Sequence, residues 1–174
     1  NYSAYKLVSI VQKQCEAAEI VFEIIVQDDG STDSDSIAEN KVINTLPNCR
    51  FIQNELNLGR AKNINSLLKS ANYNWILILD CDTKPTTENF IRIYDEIIQD
   101  SSSKIVFGGI AYRDTPPKEN EILRWKYGKE REALTAENRI KNPYLTLLTS
   151  NILCQKSVFE TVSFNENITE YGYE

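Results

Sequence analysis

The chain has 174 residues, 41% apolar and 25% charged, the composition of one soluble globular domain. Its net charge of −6 supplies no basic field for a phosphate backbone, so nucleic acid is not expected as a partner. It has no His, which excludes Ser-His-Asp and Cys-His catalysis and most zinc sites, leaving carboxylates, Lys, Tyr or Cys for proton transfer.

Leu7, Val8, Val11, Cys15 and Ala18 recur at steps of three or four, which predicts a helix over Ala4 to Ala18. Phe22 to Gln27 is a β-branched run, stopped by the turn formers of Asp28-Asp29-Gly30-Ser31-Thr32-Asp33. Ser31 to Asp35 can cap a helix reaching about Thr45. A strand over Cys49 to Gln53, a polar loop over Asn54 to Gly59 and a helical stripe of Ala61, Ile64, Leu67, Leu68 and Ala71 follow. Trp75-Ile76-Leu77-Ile78-Leu79 is an unbroken apolar run, as in a parallel strand buried on both faces. It ends in Asp80-Cys81-Asp82-Thr83, and Pro85 prevents its continuation. Thr86 or Thr87 can cap the next helix, whose core residues are Phe90, Ile91, Tyr94, Ile97 and Ile98. Lys104 to Tyr112 reads as a strand containing Gly108-Gly109, Glu119 to Leu134 as a helix after Thr115-Pro116-Pro117, and Tyr144 to Leu153 as a further strand. Phe164 to Glu174 is polar and Tyr-rich without a period.

This alternation predicts one α/β domain, a mostly parallel sheet flanked by helices. Ligands in such sheets bind beyond the carboxyl ends of the strands, where both acidic clusters fall. The four cysteines, Cys15, Cys49, Cys81 and Cys154, share no C-x-x-C spacing and read as buried or incidental thiols. No secretory leader or apolar run of bilayer length is visible, which predicts a cytoplasmic protein or one at the inner face of a membrane.

Asp80 and Asp82 flank one residue past an apolar strand, an oxygen-rich pair suited to Mg²⁺ or Mn²⁺ shared with substrate phosphates. The alternative is a helix cap or a solvated turn. The Asp28-Asp29-Gly30 turn offers carboxylates to base and ribose donors, or equally an Asp/Gly turn with a cap. Arg60 and Lys62, at a helix start in Asn57-Leu58-Gly59-Arg60-Ala61-Lys62-Asn63, can face a diphosphate or simply be solvated.

Taken together, Glu-Ile-Ile-Val-Gln-Asp-Asp-Gly-Ser-Thr-Asp, Asn-Leu-Gly-Arg-Ala-Lys-Asn and Trp-Ile-Leu-Ile-Leu-Asp-Cys-Asp resemble the inverting family-2 glycosyltransferases in order and spacing. Thr149-Ser150-Asn151 and Ile168-Thr169-Glu170-Tyr171-Gly172-Tyr173-Glu174 also look like that family's acceptor-side strand and closing Glu-Asp motif. The resemblance implies a GT-A fold that binds a nucleotide-diphosphate sugar, of uridine type, and transfers its sugar to a glycan or lipid-linked acceptor. Asp28, Asp29 and Ser31 fall on the donor-binding turn, with Asp29 at the position that reads uracil. Asp82 matches the position nearest a Mn²⁺ or Mg²⁺ ion, and Asp80 supports ribose or metal. Arg60 and Lys62 stand near the diphosphate, Ser150 and Asn151 border the sugar pocket, and Glu174 takes the place of the base. Leu123-Arg124-Trp125-Lys126-Tyr127-Gly128 resembles a helix near the acceptor in some members, or equally forms a core-facing aromatic stripe.

The family pattern begins with an apolar strand of which only Asn1 matches the end, and its closing motif continues one residue beyond Glu174. The implied place of that strand lies between the Phe22 to Gln27 and Trp75 to Leu79 strands, and residues 1 to 174 alone are expected to transfer little or no sugar. Asp80-Cys81-Asp82-Thr83 also fits the D-x-D-x-T nucleophile motif of haloacid-dehalogenase-type phosphatases, but with its acidic partner upstream rather than downstream. A sugar nucleotidyltransferase and a non-catalytic nucleotide-sugar-binding module are the remaining alternatives.

Overall fold

The opening apolar stripe folds as helix α1, Tyr5–Ala17, with Leu7, Val8, Val11 and Cys15 buried. The computed structural model describes residues 1–100 and 102–168. Strand β1, Ile24–Asp28, leads to Asp33, whose carboxylate accepts the Ser36 N–H at 2.9 Å. That cap starts α2, Ser34–Lys41, which a 3-10 turn extends over Val42–Thr45. Strand β2, Cys49–Gln53, pairs parallel to β1, with Ile24 opposite Cys49 and Asp28 opposite Gln53. Helix α3 covers Arg60–Ser70, β3 Trp75–Leu79 and α4 Phe90–Asp100. The remainder comprises β4 (Ile105–Phe107), α5 (Ile122–Arg131), α6 (Ala136–Ile140), β5 (Asn151–Gln155) and α7 (Lys156–Thr161).

Three elements differ from the sequence expectation, two for local reasons and one for a contact across space. The strand expected over Lys104 to Tyr112 stops at Phe107, because Gly109 adopts φ +83° and turns the backbone away. The last strand begins only at Asn151, since Pro143–Leu145 forms a 3-10 turn. At the start of α4, the first-turn N–H of Ile91 is taken by the Gln14 side chain at 3.1 Å rather than by a nearby threonine. Gln14 also donates to the Thr87 carbonyl at 2.9 Å, so α1 supplies the cap across space.

Among the described residues five strands form two sheets, β1-β2 and β3-β5-β4. Strand β5 runs antiparallel between β3 and β4, which are therefore parallel to one another. Ile24 donates to Asn48 and the Asp28 carbonyl accepts from Asn54. By the two-residue period, Ile25 and Gln27 direct their backbone groups to the opposite edge of β1. Asp80 donates to Ser150 and the Asn74 carbonyl accepts from Lys156, so Trp75, Leu77 and Leu79 likewise face away from β5. Among the described residues no strand pairs with either of these outer edges. The apolar run Trp75–Leu79 is accordingly half-buried at all five positions instead of buried on both faces.

Helix α1 bridges the two sheets. Leu7, Val11 and Cys15 pack with Ile91 against Ile24 of β1 and Leu77 and Leu79 of β3, while Ala4 and Val8 join Ile43 and Phe51 on the β1-β2 side. Of the cysteines, Cys15 and Cys154 are buried, Cys49 is half-buried and Cys81 exposed. Burial pushes the Cys15 thiol up to about 12, so it stays protonated. Among the described residues no helix is long and apolar enough to cross a membrane.

The open edges make a direct prediction for amide hydrogen exchange. The Ile25 and Leu77 amides should exchange at least about tenfold faster than those of Val26 and Ile78, their ladder-bonded neighbours. Equal protection in a residue-resolved measurement would show that both edges are covered in solution.

Candidate functional site

At the end of β1, Gly30 has φ +76°, and a Cβ there would fall 2.6 Å from the Asn57 nitrogen. Only glycine lets this turn lie against the 54–59 loop. Asp28 uses its carboxylate to accept the Ser31 N–H, at 3.2 and 3.3 Å. Asp29 accepts from Leu58 N–H at 2.8 Å, Gly59 N–H at 2.9 Å and the Asn54 side-chain amide at 3.1 Å. It therefore fastens the loop that enters α3, where Gly59 takes φ +87°. Charge-assisted bonds of this kind are the stronger class of hydrogen bond.

Fixing that loop fixes Arg60, the first residue of α3. Its Nη2 lies 3.0 Å from Asp80 Oδ1 and donates to Thr149 Oγ1 at 2.9 Å. Asp80 follows β3 directly. Its N–H donates to the Ser150 carbonyl, and its own carbonyl accepts from the backbone and hydroxyl of Thr83 at 3.1 and 2.7 Å. The acidic turn is thus braced by β5 on one side and by its own Thr on the other, with Asp82 exposed at its tip.

Two residues of the neighbouring wall behave differently. Ser150 is 8% exposed, and its Oγ has no hydrogen-bond partner, an unsatisfied group that a ligand or water hydroxyl can complete. Asn151 has both amide ends occupied, accepting from the Tyr94 hydroxyl and donating to the Gly109 carbonyl at 3.0 Å. Burial pushes the Tyr94 phenol up to about 12, with Asn151 and Arg139 pulling the other way. It remains the donor, and Asn151 acts here as a brace between β5 and the Gly108-Gly109 bend.

One cleft of about 1830 Å³ gathers Arg60, Asp80, Asp82, Ser150 and Asn151 along its walls. That volume exceeds what a single small ligand fills, roughly 300–1,000 Å³. Asp28, Asp29, Ser31 and Lys62 do not line it, and Lys62 is exposed. Glu174 lies outside the described residues. Among the described residues no group of three or more His, Cys, Asp or Glu could hold a metal. Asp80 and Asp82 carry the hard oxygen donors that Mg²⁺ or Mn²⁺ prefer.

Sequence reasoning missed the clamp on the opposite wall. Glu132 accepts the Tyr112 hydroxyl and pairs with both Arg124 nitrogens, at 2.9 and 3.1 Å. Trp125 Nε1 donates to the Arg113 carbonyl at 2.8 Å, and Lys129 pairs with Asp114 at 3.0 Å. Helix α5 thereby holds the 112–114 strap. The signal was Gly128 inside a helical run, since a Cβ there would collide with the Tyr112 ring. The aromatic residues of α5 do not form a core-facing stripe: Tyr127 is 58% exposed, and Trp125 lines the cleft.

The family model described as Glycosyl transferase family 2 matches residues 6–162, and the chain belongs to that family. The crystal structure of S. aureus TarS 1-349 is similar in fold, with a TM-score of 0.57 and 22% identity, over 98% of this chain and 50% of that one. The present chain thus spans about half the length of that structure. A search of the curated proteins found no match. The α/β architecture is that of a GT-A fold.

The bonds made by Asp29 set an expectation for its removal. Asp29→Ala should lower unfolding stability by about 1–2 kcal/mol, as for loss of a cap with charged acceptors. Asp29→Asn should recover part of the loss. Urea unfolding curves unchanged in the Ala variant would reverse this structural assignment.

Proposed function

We propose that this domain is the donor-binding part of an inverting, metal-dependent glycosyltransferase, moving a sugar from a uridine-diphosphate sugar to a hydroxyl of a glycan or lipid-linked acceptor. The observation that supports it best is the meeting of Arg60 with the Asp80-Cys81-Asp82 turn in one cleft large enough for two substrates. Family membership supports the reaction class. The phosphatase alternative asks Asp80 to attack phosphorus, and the family match speaks for the transferase instead.

In this reading Asp80 and Asp82 would hold Mn²⁺ or Mg²⁺, which supplies charge stabilisation for the leaving diphosphate when bound. Arg60 gives a fixed guanidinium beside the same leaving group, directed by Asp80 and Thr149. Ser150, with its unsatisfied hydroxyl, borders the transferred sugar. The Asp28-Asp29-Ser31 turn stands at the uridine end, where Asp29 serves the base through the loop it orders as well as through its remaining lone pairs. Lys62 contributes long-range attraction for the diphosphate from an exposed position.

The acceptor hydroxyl attacks the anomeric carbon from the face opposite the diphosphate. The new C–O bond forms as the old one breaks, the diphosphate leaves with the electron pair, and a carboxylate takes the hydroxyl proton. Configuration inverts in that single displacement. Glu174 is the proposed base.

Calorimetry with uridine diphosphate tests the metal half of this reading. Affinity should rise at least about tenfold when Mn²⁺ replaces chelator, because two carboxylates repel the diphosphate unless a cation intervenes. Asp82→Ala should abolish that gain while leaving the melting temperature unchanged. Equal binding in chelator and in Mn²⁺ would remove the metal site.

A further inference from the structure

Among the described residues, six Lys and Arg side chains but four carboxylates line the cleft, in a protein of net charge −6. Arg60 and Arg124 are each held by a carboxylate, Asp80 and Glu132. Arg139 is not. Its Nη1 donates to the Leu134 carbonyl at 2.7 Å, and its guanidinium lies 5.1 Å from the Phe107 ring centroid. No carboxylate among the described residues lies within salt-bridge distance of it. Arg139 is half-buried and lines the cleft. A partly desolvated guanidinium with one of its five donors used among the described residues is prepared for an oxyanion.

The bend beneath it is shaped for this side chain. Gly109 has φ +83°, and a Cβ there would fall 2.5 Å from Arg139 Nη1. The Gly109 carbonyl is in turn held by Asn151, which Tyr94 fixes. The guanidinium is therefore stacked on Phe107, bonded at one end and seated on bare backbone, so little rotamer entropy remains to be lost on binding.

Its place in the sheet indicates which anion it meets. Arg60 and Asp80 stand at the end of β3, whereas Arg139 stands at the end of β4, with β5 between them. Two strand spacings are about 10 Å, which sets Arg139 apart from the Arg60–Asp80 pair along the same sheet edge. We propose that Arg139 is a specificity-determining residue that binds a second oxyanion, a carboxylate or phosphate carried by the transferred sugar or by the acceptor. The inference rests on the glycosyltransferase reading above.

The test has two arms on the purified domain with Mn²⁺ present. In the donor arm, uridine-diphosphate glucuronic acid is compared with uridine-diphosphate glucose. In the acceptor arm, glycerol 1-phosphate is compared with glycerol in the presence of uridine diphosphate. In one arm the anionic member should bind at least about tenfold more tightly, as expected of a charge-assisted pair, and Arg139→Gln should erase that preference. Arg139→Lys should restore part of it. The arm that responds identifies the carrier. Because Arg139 also braces Leu134, melting temperatures are recorded, and Gly109→Ala, which displaces the guanidinium without removing it, should reduce the same preference. Uridine-diphosphate binding with no anion preference in either arm, or a preference unchanged in Arg139→Gln, overturns the assignment. Absence of uridine-diphosphate binding with an Arg139-dependent preference for the phosphate would instead overturn the donor reading and leave the anion site standing.

Discussion

Everything in this domain depends on one helix packing against two sheets that, among the described residues, share no hydrogen bond. Leu7, Val11 and Cys15 of α1 touch both β1 and β3, and Ala4 and Val8 close the β1-β2 side. Full burial of an aliphatic side chain contributes about 1.5–3 kcal/mol. The Arg60–Asp80 pair also crosses between the two sheets' loops, but both partners are about a third exposed, and exposed pairs are worth at most about 1 kcal/mol. The apolar seam therefore sets the distance between the cleft walls, and the ion pair follows it. Gln14 extends the seam by capping α4, so the helix bordering the cleft is registered from α1 as well.

Against that frame, the acidic turns divide their work. Asp28 and Asp29 spend their carboxylates on backbone N–H groups, while Asp82 leaves its own exposed. A carboxylate at a strand end can order a loop or meet a ligand, and the same residue type was needed for both. Ordering matters to the chemistry because the loop tied by Asp29 ends at Gly59, immediately before Arg60. In the proposed reading, a guanidinium held within bonding distance of Asp80 and Thr149 would lose less freedom when a diphosphate binds.

The parts legible in the sequence are those set by local pattern. The Leu7-Val11-Cys15 stripe, the Trp75–Leu79 run and the Asp33 cap each specify their element through neighbours close in the chain. Pairing was not legible, because the strand beside β3 comes from Asn151–Gln155, more than seventy positions away, and runs antiparallel. Nor was the Gln14 cap, since a glutamine in a helix carries no sign of which distant N–H it will meet. The Tyr112-Glu132-Arg124 clamp was hidden for the same reason, except for Gly128, whose missing side chain makes room for the Tyr112 ring. Of the site residues, the motif positions Arg60, Asp80, Asp82, Ser150 and Asn151 converge on one cleft. Arg139 belongs to no motif, and only the fold reveals that, among the described residues, no carboxylate lies within salt-bridge distance of it.

Helix α3 reaches beyond the cleft. Its first residue is Arg60, and its buried Asn65, 6% exposed, bonds Phe164 through both N–H and carbonyl and reaches Glu166 at 2.9 Å. A buried amide in a helix interior is costly unless every donor and acceptor is met, and here the 164–166 stretch meets them. Phe164 also stacks on Phe159, so this stretch is held by apolar contact and by polar pairing together. A single rigid helix thus fixes the guanidinium that faces the acidic turn and the chain segment that follows α7. Any change that shifts α3, whether at Asp29 before it or at Asn65 within it, moves both at once.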